Sequence, residues 1–184
     1  MKVEATALPG VLRVTPTVFR DDRGFFLEWF NAGAFAAAGL PTAFVQDNHS
    51  RSAAGVVRGL HYQLEQPQGK LVRVTRGAVI GVALDIRVGS PTFGRSATYD
   101  LNDQNFGMVW IPPGFAHGFC ALADDTDVVY KCTALFAPGD DHGVLWNDPE
   151  LGIPWPAIAT RVSEKDARYL PLRAARADLP AYRP

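Results

Sequence analysis

Short apolar and β-branched runs recur along the chain about every ten residues, and this rhythm limits its folds more than any other feature. Gly (17) and Pro (14) are scattered rather than pooled, so each run is closed by a turn signal. The runs are Val11–Phe19, Phe25–Phe30, Leu71–Val74, Ala78–Ile86, Ala97–Leu101, Met108–Ile111, Gly118–Leu122 and Asp127–Thr133. Only two stretches read as helical. Asn31 can cap the Ala-rich run Ala32–Ala38, which stops at Gly39, and Ser163 can cap a short turn holding Glu164, Lys165 and Asp166. An all-β sandwich or barrel with a few short helices is expected, as one domain over 1–184. The Pro-rich end (Pro154, Pro156, Pro171, Pro180, Pro184) reads as an extended wrap over it.

A chain of 184 residues with 47% hydrophobic content can bury a core without disulfide or metal staples. Its net charge of -1 argues against a nucleic-acid protein, whose affinity rests on clustered Lys and Arg. The first 92 residues are net basic and the rest net acidic, so an anion site is expected to be local and drawn mainly from the first half. Cys120 and Cys132 are too few and too far apart for a zinc knuckle or disulfide framework, and read as reduced core residues. Neither an apolar leader nor a run of 18 apolar residues is present, so a cytoplasmic protein with no membrane partner is expected.

The histidines His49, His61, His117 and His142 are the first candidates for chemistry. A cupin-type metal site wants a His-x-His pair, a Glu a few residues on and a third His. Gln63 stands where the second His of the pair would be, leaving Glu65 and His117 one ligand short; no metal is expected. Arg58-Gly59-Leu60-His61-Tyr62-Gln63, followed by Gly69-Lys70, brings two cations and an imidazole to the start of a strand. An anionic ligand with proton transfer would suit them. So would a satisfied structural histidine beside two surface charges. His117 can line a cavity or bond a carbonyl, and Tyr130 can enter a barrel as an acid or serve as a core tyrosine.

At these positions the sequence resembles the dTDP-4-dehydrorhamnose 3,5-epimerase family. The likeness is carried in order by Arg20-Asp21-Asp22-Arg23-Gly24-Phe25-Phe26-Leu27-Glu28, Gln46-Asp47-Asn48-His49-Ser50, Val57-Arg58-Gly59-Leu60-His61-Tyr62-Gln63 and Gly69-Lys70-Leu71-Val72. Leu84-Asp85-Ile86-Arg87, Gly89-Ser90-Pro91-Thr92-Phe93-Gly94, Ile111-Pro112-Pro113-Gly114-Phe115-Ala116-His117-Gly118-Phe119, Tyr130-Lys131-Cys132-Thr133, Trp146-Asn147-Asp148-Pro149 and Ser163-Glu164-Lys165-Asp166 continue it.

The resemblance implies a cupin-like double-stranded β-helix (jelly roll). It also implies a homodimer with N-terminal strands (about 1–45) exchanged, a core over about 46–140 and a C-terminal wrap over about 141–184. Neither a metal nor an organic cofactor is implied. The implied substrate is a dTDP-4-keto-6-deoxyhexose, inverted at C3 and C5. His61 takes the role of base, oriented by Asp166, with Tyr130 as acid and Lys70 beside the C4 ketone. Arg23, Phe26, Glu28, Gln46, Asp47, Asn48, Arg58, His117, Phe136, Asp141 and Lys165 fall at binding positions. Three positions depart from the family pattern. Phe136 stands for a stacking tyrosine, Asp141 for a glutamate, and Gly81 for a buried aspartate in the run Val79-Ile80-Gly81-Val82. They leave open a mono-epimerase on a related sugar, and a sugar-binding cupin without catalysis or a metal-dependent one are the readings from other classes.

Overall fold

The computed structural model describes residues 1–175 and 179–182. In chain order its strands are β1 (Lys2–Ala5), β2 (Leu12–Thr15), β3 (Val18–Asp21), β4 (Gly24–Leu27), β5 (Gln46–Ser52), β6 (Val57–Tyr62) and β7 (Lys70–Arg76). There follow β8 (Ala78–Asp85), β9 (Ser96–Asn102), β10 (Met108–Ile111), β11 (Phe115–Ala121), β12 (Thr126–Cys132) and β13 (His142–Gly143). The helices are α1 (Ala32–Ala37) and α2 (Glu164–Ala167). Six strands pair in the order β1-β2-β10-β7-β12-β5, five in the order β13-β6-β11-β8-β9, and β3 with β4 forms a separate hairpin. All these pairings are antiparallel. The architecture is the expected jelly roll.

Burial explains why these segments become strands. Between the two sheets, Val72, Val74, Val109 and Val128 meet Val79, Tyr99, Leu101, Phe115 and Phe119. Outside the five-stranded sheet, Leu60, Val82, Leu84, Ile86 and Ala116 are covered by Val144, Leu172, Ala175 and Leu179 of the C-terminal segment. Outside the six-stranded sheet, Val14, Leu71, Met108 and Trp110 are covered by Phe35 of α1 and by Leu40. A strand with both faces covered reads as a continuous apolar run. That is why β8 and β11 stood out in the sequence. The wrap expected over 141–184 is thus an extended cover on one sheet, as far as the described residues run; Pro184 lies outside them, as do 176–178 and 183.

Several boundaries differ from expectation. The run Val11–Phe19 is split at Pro16 and Thr17 into β2 and β3, which join different sheets. The strands β1, β5, β6 and β13 lie outside the apolar runs. In β5 (QDNHSRS) half-buried and exposed positions alternate as far as the buried Ser52, but both faces are polar, and Ser50 lines a cavity.

The sequence Leu84-Asp85-Ile86-Arg87 with Ser90 and Thr92 forms a buried clamp. Asp85 is fully buried and accepts hydrogen bonds from the Arg87 guanidinium (2.9 and 2.7 Å), Ser90 Oγ and Thr92 Oγ1 (both 2.6 Å). The Arg87 guanidinium carbon lies 4.2 Å from the Phe115 ring centroid. Burial pushes the Asp85 carboxyl up, but the bonds from Arg87, Ser90 and Thr92 outweigh it and hold the group below its ordinary value. Its stabilisation is therefore present above the unfolded carboxylate pKa and is lost as pH falls through the lower folded value. Replacing one partner leaves the other charge buried and alone. Asp85→Ala is expected to lower the unfolding free energy by about 3–5 kcal/mol in urea titrations at neutral pH.

Candidate active site

The cavity between the sheets has a volume of about 510 Å3 and is lined by Arg58, His61, Lys70, His117, Tyr130, Lys165 and Asp166, among others. His61 on β6 and His117 on β11 are direct cross-strand partners in the five-stranded sheet. Lys70 on β7 and Tyr130 on β12 belong to the six-stranded sheet opposite. The two walls of the cavity thus carry different chemistry.

Two glycines allow the histidine wall to form. The pairing of β6 with β11 shifts register between His117 and Phe119. A Cβ on Gly59 would fall 2.7 Å from both Gly118 Cα and the His117 carbonyl oxygen, and one on Gly118 would fall 2.7 Å from the Arg58 carbonyl oxygen. Gly59 also has φ +118°, which side chains rarely adopt. Backbone approach on this scale is possible only without side chains at either position.

Asp166 reaches this wall from α2. Its Oδ1 pairs with His61 Nε2 at 2.8 Å, and its Oδ2 accepts the Gly59 N–H at 3.1 Å. Ser163 caps α2 by accepting the Asp166 N–H, the arrangement expected of the Ser163–Asp166 spacing. Burial raises the Asp166 carboxyl, yet the bonds from His61 and Gly59 outweigh it and keep it below the ordinary carboxylate range. The bond fixes Nε2 of His61 on the carboxylate side and leaves Nδ1 for other chemistry.

The other groups are tuned mainly by burial. Lys70 is 9% exposed and its ammonium is pushed down by desolvation. The Tyr130 phenol is pushed up by burial, helped by Cys132. His117 is pushed down to about 3 by burial, then by Lys70 and His61, and its Nε2 has no hydrogen-bond partner. Among the described residues, Lys70 and Arg58 have no carboxylate within ion-pair distance. Arg58 donates to Ser52 Oγ and the Arg51 carbonyl, both neutral. Lys165 is paired with Asp141 at 2.6 Å. The cavity is a basic recess with few internal anions, suited to an anionic ligand.

Other expected positions fall elsewhere. Gln46 and Asn48 are bonded to each other on β5 at 2.9 Å, and Gln46 Oε1 accepts the Phe136 N–H at 2.7 Å. Phe136 is half exposed. Asp47 points to the opposite face of β5 and pairs with Lys131 at 2.9 Å. Asp141 touches the cavity only through Lys165. Arg23 and Phe26 belong to the β3–β4 hairpin and line a separate surface recess; Phe26 is 69% exposed. Glu28 follows that hairpin and accepts from Asn31 at 3.2 Å. Within one chain these three do not join the His61 cavity. Lining residues missed in the sequence include Ser50, Phe119 and Arg161. Strand alternation with Asn48 was a signal for Ser50; Arg161 sits in an irregular segment bridged to Val56 and gave none.

The profile of the family described as dTDP-4-dehydrorhamnose 3,5-epimerase matches residues 5–174. The chain belongs to that family. An enzyme of that name from Pseudomonas aeruginosa is 54% identical over 168 residues, spanning 90% of this chain and 93% of the relative. The solved structure of a 3,5-epimerase from Legionella pneumophila Philadelphia 1, in complex with dTDP-4-keto-L-rhamnose, superimposes with a TM-score of 0.96. It is 43% identical and covers 100% of this chain and 99% of its own. A 3'-monoepimerase from Streptomyces bikiniensis, solved with dTDP-quinovose, has a TM-score of 0.92 at 33% identity, covering 96% and 92%. These three relatives match nine-tenths or more of this chain, so the likeness includes the strands that line the cavity.

His117 yields a pH prediction. Its folded pKa of about 3 lies below the ordinary 6.5, so the unfolded chain binds the extra proton between those values and stability falls as pH drops below 6.5. His117→Gln is expected to flatten that dependence by up to about 1.4 kcal/mol per pH unit. Urea titrations of both proteins at pH 5 and 7 measure it.

Proposed function

We propose that this chain inverts C3 and C5 of dTDP-4-dehydro-6-deoxy-D-glucose by proton transfer, giving dTDP-4-dehydro-L-rhamnose, and that it does so as a cytoplasmic homodimer without metal or organic cofactor. The observation that carries this reading is the placement of His61 and Tyr130 on opposed sheets of one cavity. Inverting a stereocentre requires removal of a proton on one face and delivery on the other. A one-sided site could only exchange the proton.

His61, with Nε2 held by Asp166, takes the proton α to the ketone through Nδ1. The electron pair moves onto the carbonyl oxygen as an enolate. Lys70, desolvated and without a carboxylate partner among the described residues, offers its positive charge to that oxygen. Tyr130, whose burial keeps it protonated, returns a proton from the opposite wall. Collapse of the enolate restores the ketone with the centre inverted; His61 then gives its proton to solvent and the Tyr130 phenolate takes one up, so that the same cycle acts at the second α-carbon. Arg58 and Lys165 would meet the diphosphate, with Lys165 exchanging Asp141 for phosphate oxygen. His117, neutral at working pH, would hydrogen-bond the sugar.

The exposed hairpin supports the dimer. Phe19, Phe25 and Phe26 are each more than half exposed in one chain, a cost that burial against a second copy would remove. In the proposed dimer Arg23, Phe26 and Glu28 complete the partner's cavity. If so, inactive Arg23→Ala and inactive His61→Ala chains should regain activity when unfolded together and refolded as mixed dimers. Failure of every mixture to regain activity would count against the shared site.

The reaction itself is tested in deuterated water. Deuterium is expected at both C3 and C5 of the product, and His61→Ala should reduce its incorporation roughly 10²- to 10⁴-fold. Tyr130→Phe should retain more exchange than net inversion, because the base survives and the opposite donor is lost. Label at C3 alone would show a mono-epimerase. Binding of the dTDP-sugar without any exchange would show a carrier.

A further inference from the structure

The strand partners of His61 are unequal. On one side stands His117; on the other, across the β6–β13 pair, stands Gly143. The space beside Gly143 is filled by the ring of Tyr169, which arrives from the turn after α2. A Cβ on Gly143 would fall 2.2 Å from Tyr169 Cε2 and 2.5 Å from Cδ2 and Cζ. The same ring stands edge-on to the His61 imidazole, with centroids 6.0 Å apart and planes at 71°. The Lys165 ammonium lies 5.9 Å from its centroid. Tyr169 is not among the cavity-lining residues, so it stands behind His61 rather than beside the ligand.

We propose that Tyr169 is a positioning residue, its ring seated in the space Gly143 leaves open so that it braces the His61 imidazole from behind and supports Lys165. Asp166 fixes one nitrogen of His61, but a single hydrogen bond leaves the ring free to swing about the bonded atom. A packed aromatic edge removes that freedom. Because both contacts use one ring, Tyr169 also links the base to the cation of the diphosphate side. The ring, not the hydroxyl, carries the role: the hydroxyl is buried without a hydrogen bond of good geometry, among the Lys165 ammonium and the carboxylates of Asp141 and Asp166.

The proposal rests on the assignment of His61 as the base, and three variants test it. Tyr169→Phe keeps the ring and is expected to keep kcat within about twofold. Tyr169→Leu is expected to lower kcat by roughly ten- to a hundredfold, the scale of a misplaced catalytic group, with a smaller change in KM. Gly143→Ala displaces the ring without removing it and should reproduce the loss. In the double variant the losses should not add, since both act through one contact. The 15N shifts of His61 should move in the Leu and Ala variants and stay in the Phe variant. Wild-type kcat in either Tyr169→Leu or Gly143→Ala overturns the proposal, as does a Phe variant as impaired as the Leu variant. If Tyr169→Leu does not fold, as judged by thermal melting, the Phe and Gly143→Ala arms decide alone. If the unmutated protein shows no solvent exchange, the functional reading fails instead, and the His61 shifts still decide whether Tyr169 sets that ring.

Discussion

The Asp166 carboxylate is the contact on which the site depends. One oxygen holds His61 and the other holds the backbone of Gly59, so a single buried charge sets both a side chain and the strand that carries it. It also ties the C-terminal segment to the five-stranded sheet, since α2 belongs to the cover and not to the barrel. A buried carboxylate survives only where its partners offset desolvation, and here the net shift is downward, so it stays ionised in the folded state. The cover, His61 and the glycine pair of β6 and β11 are therefore held by one group.

The second organising constraint is that both sheets are covered on both faces. Three apolar layers result: one between the sheets, one under the C-terminal segment and one under α1. Opening a cavity in the middle layer costs apolar contact, and the loss is confined to one end of the barrel. There the inward positions of β5, β6, β7, β11 and β12 turn polar, as Ser50, His61, Lys70, His117 and Tyr130, while elsewhere along β7, β11 and β12 they are valine and phenylalanine.

This division decides what the sequence could reveal. Strands buried on both faces, such as β8 and β11, announce themselves by composition. The cavity strands β5 and β6 do not, because their inward residues are the polar ones; they were legible only through the ordered motifs around Asn48 and His61. The capping pattern at Ser163 foretold α2, but not that Asp166 would bond His61, which lies 105 residues earlier. Tyr169 and Gly143 were silent for a plainer reason. A tyrosine in a Pro-rich tail and a glycine in a two-residue strand carry no signal until the fold sets them against each other. Gly81 is similar: a Cβ there would meet the Tyr99 ring at 2.8 Å, a crowding that only the fold reveals.

Charge closes the argument. The chain as a whole is nearly neutral, so attraction for an anionic ligand has to come from the local cations of the cavity and not from net charge. Selectivity has to come from how the cations are partnered. Arg51 is committed to Asp127 and Arg87 to Asp85, and both lie outside the cavity. Within it, Arg58 has only neutral acceptors, Lys70 has no carboxylate partner among the described residues, and Lys165 is held by one exchangeable ion pair. Of these three, Lys70 is the buried one, and the desolvation of its ammonium is a cost that the rest of the fold offsets. An anionic ligand would meet Arg58 and Lys70 without displacing a carboxylate among the described residues, and Lys165 by displacing one, so the partnering of the cations, and not the net charge of the chain, is what suits the cavity to an anion.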